Sequence, residues 1–250
     1  MKILHAVGVG VLPAQTVSAN YKMKKIVIIL AALTICLSSN GQHDIGLKLN
    51  GGLSYLNTKI QSNITNQKIY FCPSGQGGLF YNFHFLDKYM VGAELLFIQI
   101  EGKEYFEIPF TDETGNLTGE YGSENFWHHI SYLGVPVYFG YSIKKFNINL
   151  GFQINFALTG SAREKGQAIY HGDLSTWENK YYTLGIDRYD FGPRAGLIFN
   201  LSKRLSIETN YYYGLNNILK NHLGTWKWKV QQLTVGLRYK PFIIDGQKNN

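Results

Sequence analysis

Between Lys145 and Ser161 the apolar and polar residues separate by parity without exception. Phe146, Ile148, Leu150, Phe152, Ile154, Phe156 and Leu158 alternate with Asn147, Asn149, Gly151, Gln153, Asn155, Ala157 and Thr159. Side chains on a strand point alternately to opposite faces, so the stretch predicts a β-strand with one greasy and one wet side. Its length narrows the reading. Soluble strands usually run about 5 to 6 residues, whereas a tilted membrane-crossing strand needs about 9 to 11. An apolar face sustained from Phe146 to Leu158, opposite a face of Asn, Gln and Gly, is the pattern of a transmembrane β-barrel.

The same pattern recurs along the chain. It predicts further strands at Asp44–Asn57, Ser74–Leu86, Tyr89 to about Phe106, about Asn125 to Tyr141, Asp187–Asn200, Arg204–Asn217 and Trp226–Phe242. Three places strain it. Leu96, Ile98 and Ile100 fall on the wet parity and predict a bulge or an apolar patch inside the barrel. Pro136 removes a ladder donor and predicts a local bulge. Trp226 and Trp228 share the inward register, which predicts a bulge or a strand already above the bilayer. Thr58–Pro73, Glu107–Glu124 and Ala162–Ile186 read as long loops, while Leu86–Lys88, Ser142–Lys144 and Leu201–Lys203 read as tight turns. An even strand number with short turns on one side and long loops on the other is the grammar of bacterial outer-membrane barrels. The expected fold is therefore all-β, an eight-stranded antiparallel up-and-down transmembrane β-barrel in the cell outer membrane, over residues 42–242. A lipocalin-like soluble barrel has the same strand count but would place the apolar stripes inside.

Composition agrees with a barrel once alternation is recognised. Mean hydropathy is only -0.14, because alternating residues cancel in any window. Charged residues make up 16% of the chain, against about 25% in an ordinary soluble domain. The 18 Tyr and 15 Phe suit a membrane-interface girdle. The one continuous apolar run, Ile26–Leu37 behind Met23-Lys24-Lys25, is too short for a spanning helix and reads as a signal peptide over residues 23–41, with residues 1–22 upstream of the true start. Leu33-Thr34-Ile35-Cys36 is the competing lipoprotein reading, with Cys36 lipidated. Removal of the leader leaves 20 basic against 17 acidic residues, so the basic balance is a targeting effect and gives no case for nucleic acid. Only Cys72 then remains, which excludes an internal disulfide.

Candidate chemistry lies on the wet faces. Lys48, Glu94, Arg194, Glu208 and Arg238 all take inward parity, and buried charges must be paired, so they predict a salt-bridged lumen network in a barrel just wide enough to be filled. A small gated pore is the alternative use of the same residues. His129 and Ser131 share outward parity near the external rim, as a lipid A-modifying enzyme would need, but Tyr132 follows and the next strand offers no acid across from His129. His128 and His129 face opposite ways and cannot chelate one metal. No zinc spacing, P-loop or dinucleotide fingerprint appears, so no cofactor or metal and a non-enzymatic role are expected. Trp127, Tyr170, Trp177, Tyr181 and Tyr182 in the external loops are interface aromatics or anchors for a protein partner. Outer-membrane lipid around a monomer completes the expected partners.

The segments YLGVPVYFGY, NLGFQINFALTG, DFGPRAGLIFNLSKRLSIETNYYYGLNNI and LTVGLRYKPF resemble those of the Bacteroidota outer-membrane β-barrel family that includes PorT-like proteins. The resemblance covers most of residues 42–242 and implies an outer-membrane, porin-family fold with a link to protein secretion. One departure is that Phe242 is followed by the tail 243–250 rather than ending the chain.

Overall fold

Alternation builds strands longer than the bilayer requires. A computed structural model describes residues 41–60, 66–86, 88–111, 117–170, 173–183, 185–219 and 226–244. The signal peptide, the upstream segment 1–22, Cys36 and the tail beyond Ile244 lie outside the described residues. The strands in chain order are β1 (Gln42–Ile60), β2 (Asn66–Tyr70), β3 (Cys72–Phe85), β4 (Tyr89–Thr111), β5 (Leu117–Ile143), β6 (Phe146–Tyr170), β7 (Asp173–Thr183), β8 (Tyr189–Asn200), β9 (Leu205–Tyr213) and β10 (Trp226–Ile244).

Eight of them close into a ring, β1-β3-β4-β5-β6-β8-β9-β10, each antiparallel to its neighbours and shut by the pairing of β1 with β10. Closure abolishes sheet edges, so the backbone needs no water while it crosses hydrocarbon. β2 pairs β4 beyond the start of β3, and β7 pairs β6 beyond the reach of β8. In effect they carry the barrel wall outward.

The faces are decided by exposure. Phe146, Leu150, Phe152 and Leu237 are 45%, 64%, 66% and 52% exposed, while Asn149, Gln153 and Arg238 are 2%, 1% and 1% exposed. Oily residues point out and wet ones in, which overturns the lipocalin arrangement.

Several expectations need correction. The three stretches read as loops are largely strand: β1 runs on to Ile60 and β2 follows, β4 and β5 stay paired from Ile108↔Gly122 to Thr111↔Leu117, and β6 pairs with β7 from Ser161 to Tyr170. Polarity there marks water outside, not the end of backbone pairing. Leu96, Ile98 and Ile100 are fully enclosed with no register shift against β3, so the apolar-patch reading holds and the bulge does not. Pro136 causes no bulge either. The β4–β5 ladder lapses opposite it between Ala93↔Val137 and Leu96↔Gly134 and resumes in the same register. The register jump lies instead where Ser131 pairs Thr159 and Tyr132 pairs Ala157, leaving Leu158 as the extra residue. β10 runs unshifted against β1 from Leu47↔Tyr239 to Ile60↔Trp226, so no bulge is needed to turn Trp228 inward.

At the short-turn end Ile143 pairs Phe146, making Lys144-Lys145 a two-residue hairpin loop with Lys144 at φ 55. Leu86, in the turn between β3 and β4, has φ 50. Such loops normally take Asn or Gly, which reach positive φ at little steric cost.

Candidate functional site

Five inward residues from five strands meet in the lumen. Lys48 on β1 lies between the carboxylates of Glu94 on β4 and Glu208 on β9, its Nζ 3.0 Å from Glu94 Oε2 and in direct contact with Glu208 Oε1. Arg194 on β8 brings Nη1 to 3.0 Å from Glu94 Oε2, and Arg238 on β10 brings Nη1 to 3.2 Å from Glu208 Oε2 and Nη2 to 3.7 Å from Glu94 Oε1. Neither Arg194 Nη1 nor Glu94 Oε1 has hydrogen-bond alignment, so those two contacts are Coulombic. All five side chains are essentially sealed from solvent.

Three cations face two anions, and the remaining demand is met by neutral groups. Asn50 Nδ2 donates to Glu208 Oε1 at 2.7 Å, and Arg194 Nη2 donates to Asn210 Oδ1 at 2.7 Å. Arg238 Nη2 donates to the Tyr138 hydroxyl at 3.1 Å, which in turn donates to Asn82 Oδ1 at 2.7 Å. The Arg238 guanidinium also lies 3.9 Å from the Phe80 ring centroid, and that of Arg194 lies 5.4 Å from Tyr138. These π faces receive the surplus positive charge. Tyr138 fits because Gly92 lacks a side chain: a Cβ there would stand 2.3 Å from its ring. Tyr138, Phe80 and Asn82 were not singled out from sequence. All three lie on the inward parity and are buried.

Toward the outer mouth the lumen turns apolar. Leu56, Leu96, Ile98, Ile100, Ile130, Tyr132, Trp228 and Val230 form one buried cluster above the charges. Above it sits a second polar knot also missed from sequence, in which Thr58 Oγ1 donates to Glu104 Oε1 at 2.6 Å, His128 Nε2 lies 3.6 Å from the same oxygen, and the His128 ring lies 4.3 Å from that of Trp228. At the inner mouth Asp44 Oδ2 takes Lys240 Nζ at 2.9 Å and His84 Nε2 at 3.0 Å.

The outer-rim candidates come together only in part. His128 is buried in the lumen and His129 is outside, so they do not share a site. Ser131 is 6% exposed and covered by its neighbours, and the strand after His129 presents Ser161. The acid lies on the strand before it: Glu101 pairs His129 across the ladder, with its Oε1 3.9 Å from His129 Nδ1. Trp127 is engaged by Lys103 and Arg163, whose charged groups lie 5.2 and 5.5 Å from its ring, and Trp177 Nε1 donates to Glu164 Oε1 at 2.9 Å. The side chains of Tyr170, Tyr181 and Tyr182 fall outside what is described. Cys72 is buried and free, and among the described residues no three His, Cys, Asp or Glu side chains gather as a metal site would need.

Comparison with known proteins gives one family. A family model described as outer membrane protein beta-barrel domain matches residues 36–220. No curated protein matches the chain. Solved structures similar to it include Neisserial surface protein A, at 8% identity and TM-score 0.39 over 80% of this chain and 99% of that one. Another is Ail, the attachment invasion locus protein of Yersinia pestis, at 16% identity and TM-score 0.33 over 80% and 100%. A third is the outer membrane protein OprG of Pseudomonas aeruginosa, at 13% identity and TM-score 0.39 over 80% and 95%.

Proposed function

The chain belongs to the outer membrane protein beta-barrel domain family and resides in the outer membrane, and from that premise we propose that it is a non-enzymatic barrel with a sealed interior, serving a structural or surface-interaction role. One observation carries this reading: the lumen is filled twice over, by the Lys48, Glu94, Arg194, Glu208 and Arg238 network and by the apolar cluster above it. A conducting pore needs a continuous wet path with sites weak enough to leave. Here an ion would have to break a buried network and then pass a packed layer of Leu, Ile, Val, Tyr and Trp.

The sealed interior leaves the two ends and the lipid-facing wall as the working surfaces. The finer reading, a part in protein secretion as PorT-like proteins have, draws support from the sequence resemblance across residues 42–242. The test of the sealed lumen is electrical. Purified protein in a planar bilayer is expected to give no stepwise conductance, and regular single-channel steps from the unmodified chain would reject the reading in favour of a gated pore. The secretion link is tested separately, by deleting the gene and measuring whether exported proteins are retained in the periplasm; unchanged export would remove it.

A further inference from the structure

The inner mouth of the barrel is a cavity of about 610 Å³ whose floor is buried and whose lip carries lysines. Its floor includes Asp44, Asn147 and Lys240, all nearly sealed. Among the described residues the only carboxylate lining it, Asp44, is committed to Lys240 and His84 at 2.9 and 3.0 Å. Lys144 and Lys145 from the β5–β6 turn and Lys203 from the β8–β9 turn project around it, with no ion pair among the described residues. From this convergence we propose that the mouth binds an acidic peptide segment of a periplasmic partner, held by Lys144, Lys145 and Lys203.

Position selects this occupant over a lipid. The cavity opens at the short-turn end, which in this family faces the periplasm, and it lies inside the ring of strands rather than on the wall that meets acyl chains. Its volume falls in the usual range for a ligand site, about 300 to 1,000 Å³. Ser142, Asn147, Asn200 and Ser202 line it with hydroxyl and amide groups that can meet peptide N–H and C=O groups while the lysines meet carboxylates. The proposal goes beyond the sealed-barrel reading and does not depend on the secretion link.

The experiment uses the complete barrel in neutral phosphatidylcholine nanodiscs and a fluorescent decaglutamate peptide, followed by anisotropy, with decaglutamine as the uncharged control. Decaglutamate should bind roughly tenfold or more tightly than decaglutamine, and the advantage should shrink with added salt. Lys144→Gln, Lys145→Gln and Lys203→Gln combined should lower decaglutamate affinity by roughly tenfold. Lys227→Gln with Lys229→Gln, two lysines of β10 at the opposite rim, should leave it unchanged. Lys144→Gly separates folding from binding: it relieves the positive φ and should raise the thermal midpoint while weakening the peptide. Equal binding of both peptides, wild-type binding by the triple variant, or an equal loss from the outer-rim pair would each overturn the proposal. Displacement of decaglutamate by inorganic phosphate beyond that caused by sodium chloride at equal ionic strength would also do so, because it would show a site for small anions.

Discussion

Glu94→Gln removes one charge from the buried lumen network with almost no change in volume. The carboxylate has Lys48 Nζ and Arg194 Nη1 each at 3.0 Å and Arg238 Nη2 at 3.7 Å. At an effective dielectric of about 20, one such contact near 3 Å amounts to about 5 kcal/mol before desolvation is charged against it. Most of that gross attraction only offsets the cost of taking the charges out of water. Breaking one partner from a buried pair nevertheless costs about 3–5 kcal/mol, since the survivors stay buried without compensation. After the substitution Glu208 alone would face Lys48, Arg194 and Arg238, and the two π faces cannot absorb a second surplus cation. The expected loss is therefore about 3–5 kcal/mol, read as a shift in reversible urea unfolding in lipid vesicles. A second arm adds Lys48→Met, which restores the original excess of one positive charge. The double variant should be less damaged than the sum of the single ones, by about 1–3 kcal/mol. A loss below about 1 kcal/mol for Glu94→Gln, or additive single effects, would mean that the lumen is wet enough to screen these charges, and the sealed interior would have to be given up.

Two other outcomes follow from the placement of individual residues. Leu150 is 64% exposed in the middle of the lipid-facing stripe of β6, so Leu150→Arg should destabilise the folded barrel in vesicles by about 2–4 kcal/mol, whereas a neutral result would deny that this face meets acyl chains. Outside the bilayer, burial and the neighbouring Glu164 carboxylate push Glu124 up to about 7 from an ordinary 4.5. The folded state then holds a proton that the unfolded chain has lost, so the stabilisation is complete below about 4.5 and disappears as pH rises through about 7. Because Glu124 keeps part of its surface in water, this amounts to only about 1 kcal/mol after screening. Trp177 donates to Glu164 and packs over Gly166, where a Cβ would sit 2.2 Å from its ring, so it reports on the pair. Its emission should titrate with a midpoint near 7 and lose that titration in Glu124→Gln; a flat response in the wild type would show that the two carboxyls are not coupled.

Parity made the ring legible because it encodes which side of each strand meets lipid. The stripe Phe146 to Leu158 and the inward placement of Lys48, Glu94, Arg194, Glu208 and Arg238 follow from it directly. What parity cannot encode is depth along the barrel axis beyond the bilayer. Once both faces of a strand meet water or protein, hydrophobic alternation stops, yet backbone pairing continues. Residues 162–170 and 173–183 were therefore read as loop although they pair as β6 and β7. Pro136 misled for a related reason: a missing donor was taken to demand an extra residue, while the ladder simply lapses and resumes. The neutral partners of the cluster, Tyr138 and Phe80, escaped because a search for function among charges overlooks the hydroxyl and π faces that make a surplus charge tolerable.

The arrangement of layers along the lumen constrains where any activity can lie. Proceeding outward, the paired floor of Asp44 and Lys240 gives way to the five-residue charge network, then to the apolar cluster, and last to the knot of Thr58, Glu104 and His128. The cluster stands between the charge network and the knot but is not wholly apolar, since its Tyr212 hydroxyl donates to the buried Asp190 carboxylate at 2.8 Å. Coupling between the ends would then have to run through the wall or through these packed, buried side chains. Strands that pair without a register shift over most of their length are poorly suited to carry such movement, since a one-residue slip would turn every oily side chain inward. The barrel is therefore best regarded as two independent surfaces fixed on one rigid cylinder. A partner that binds at the lysine-lined inner mouth should leave the environment of Trp177 at the outer wall unaltered.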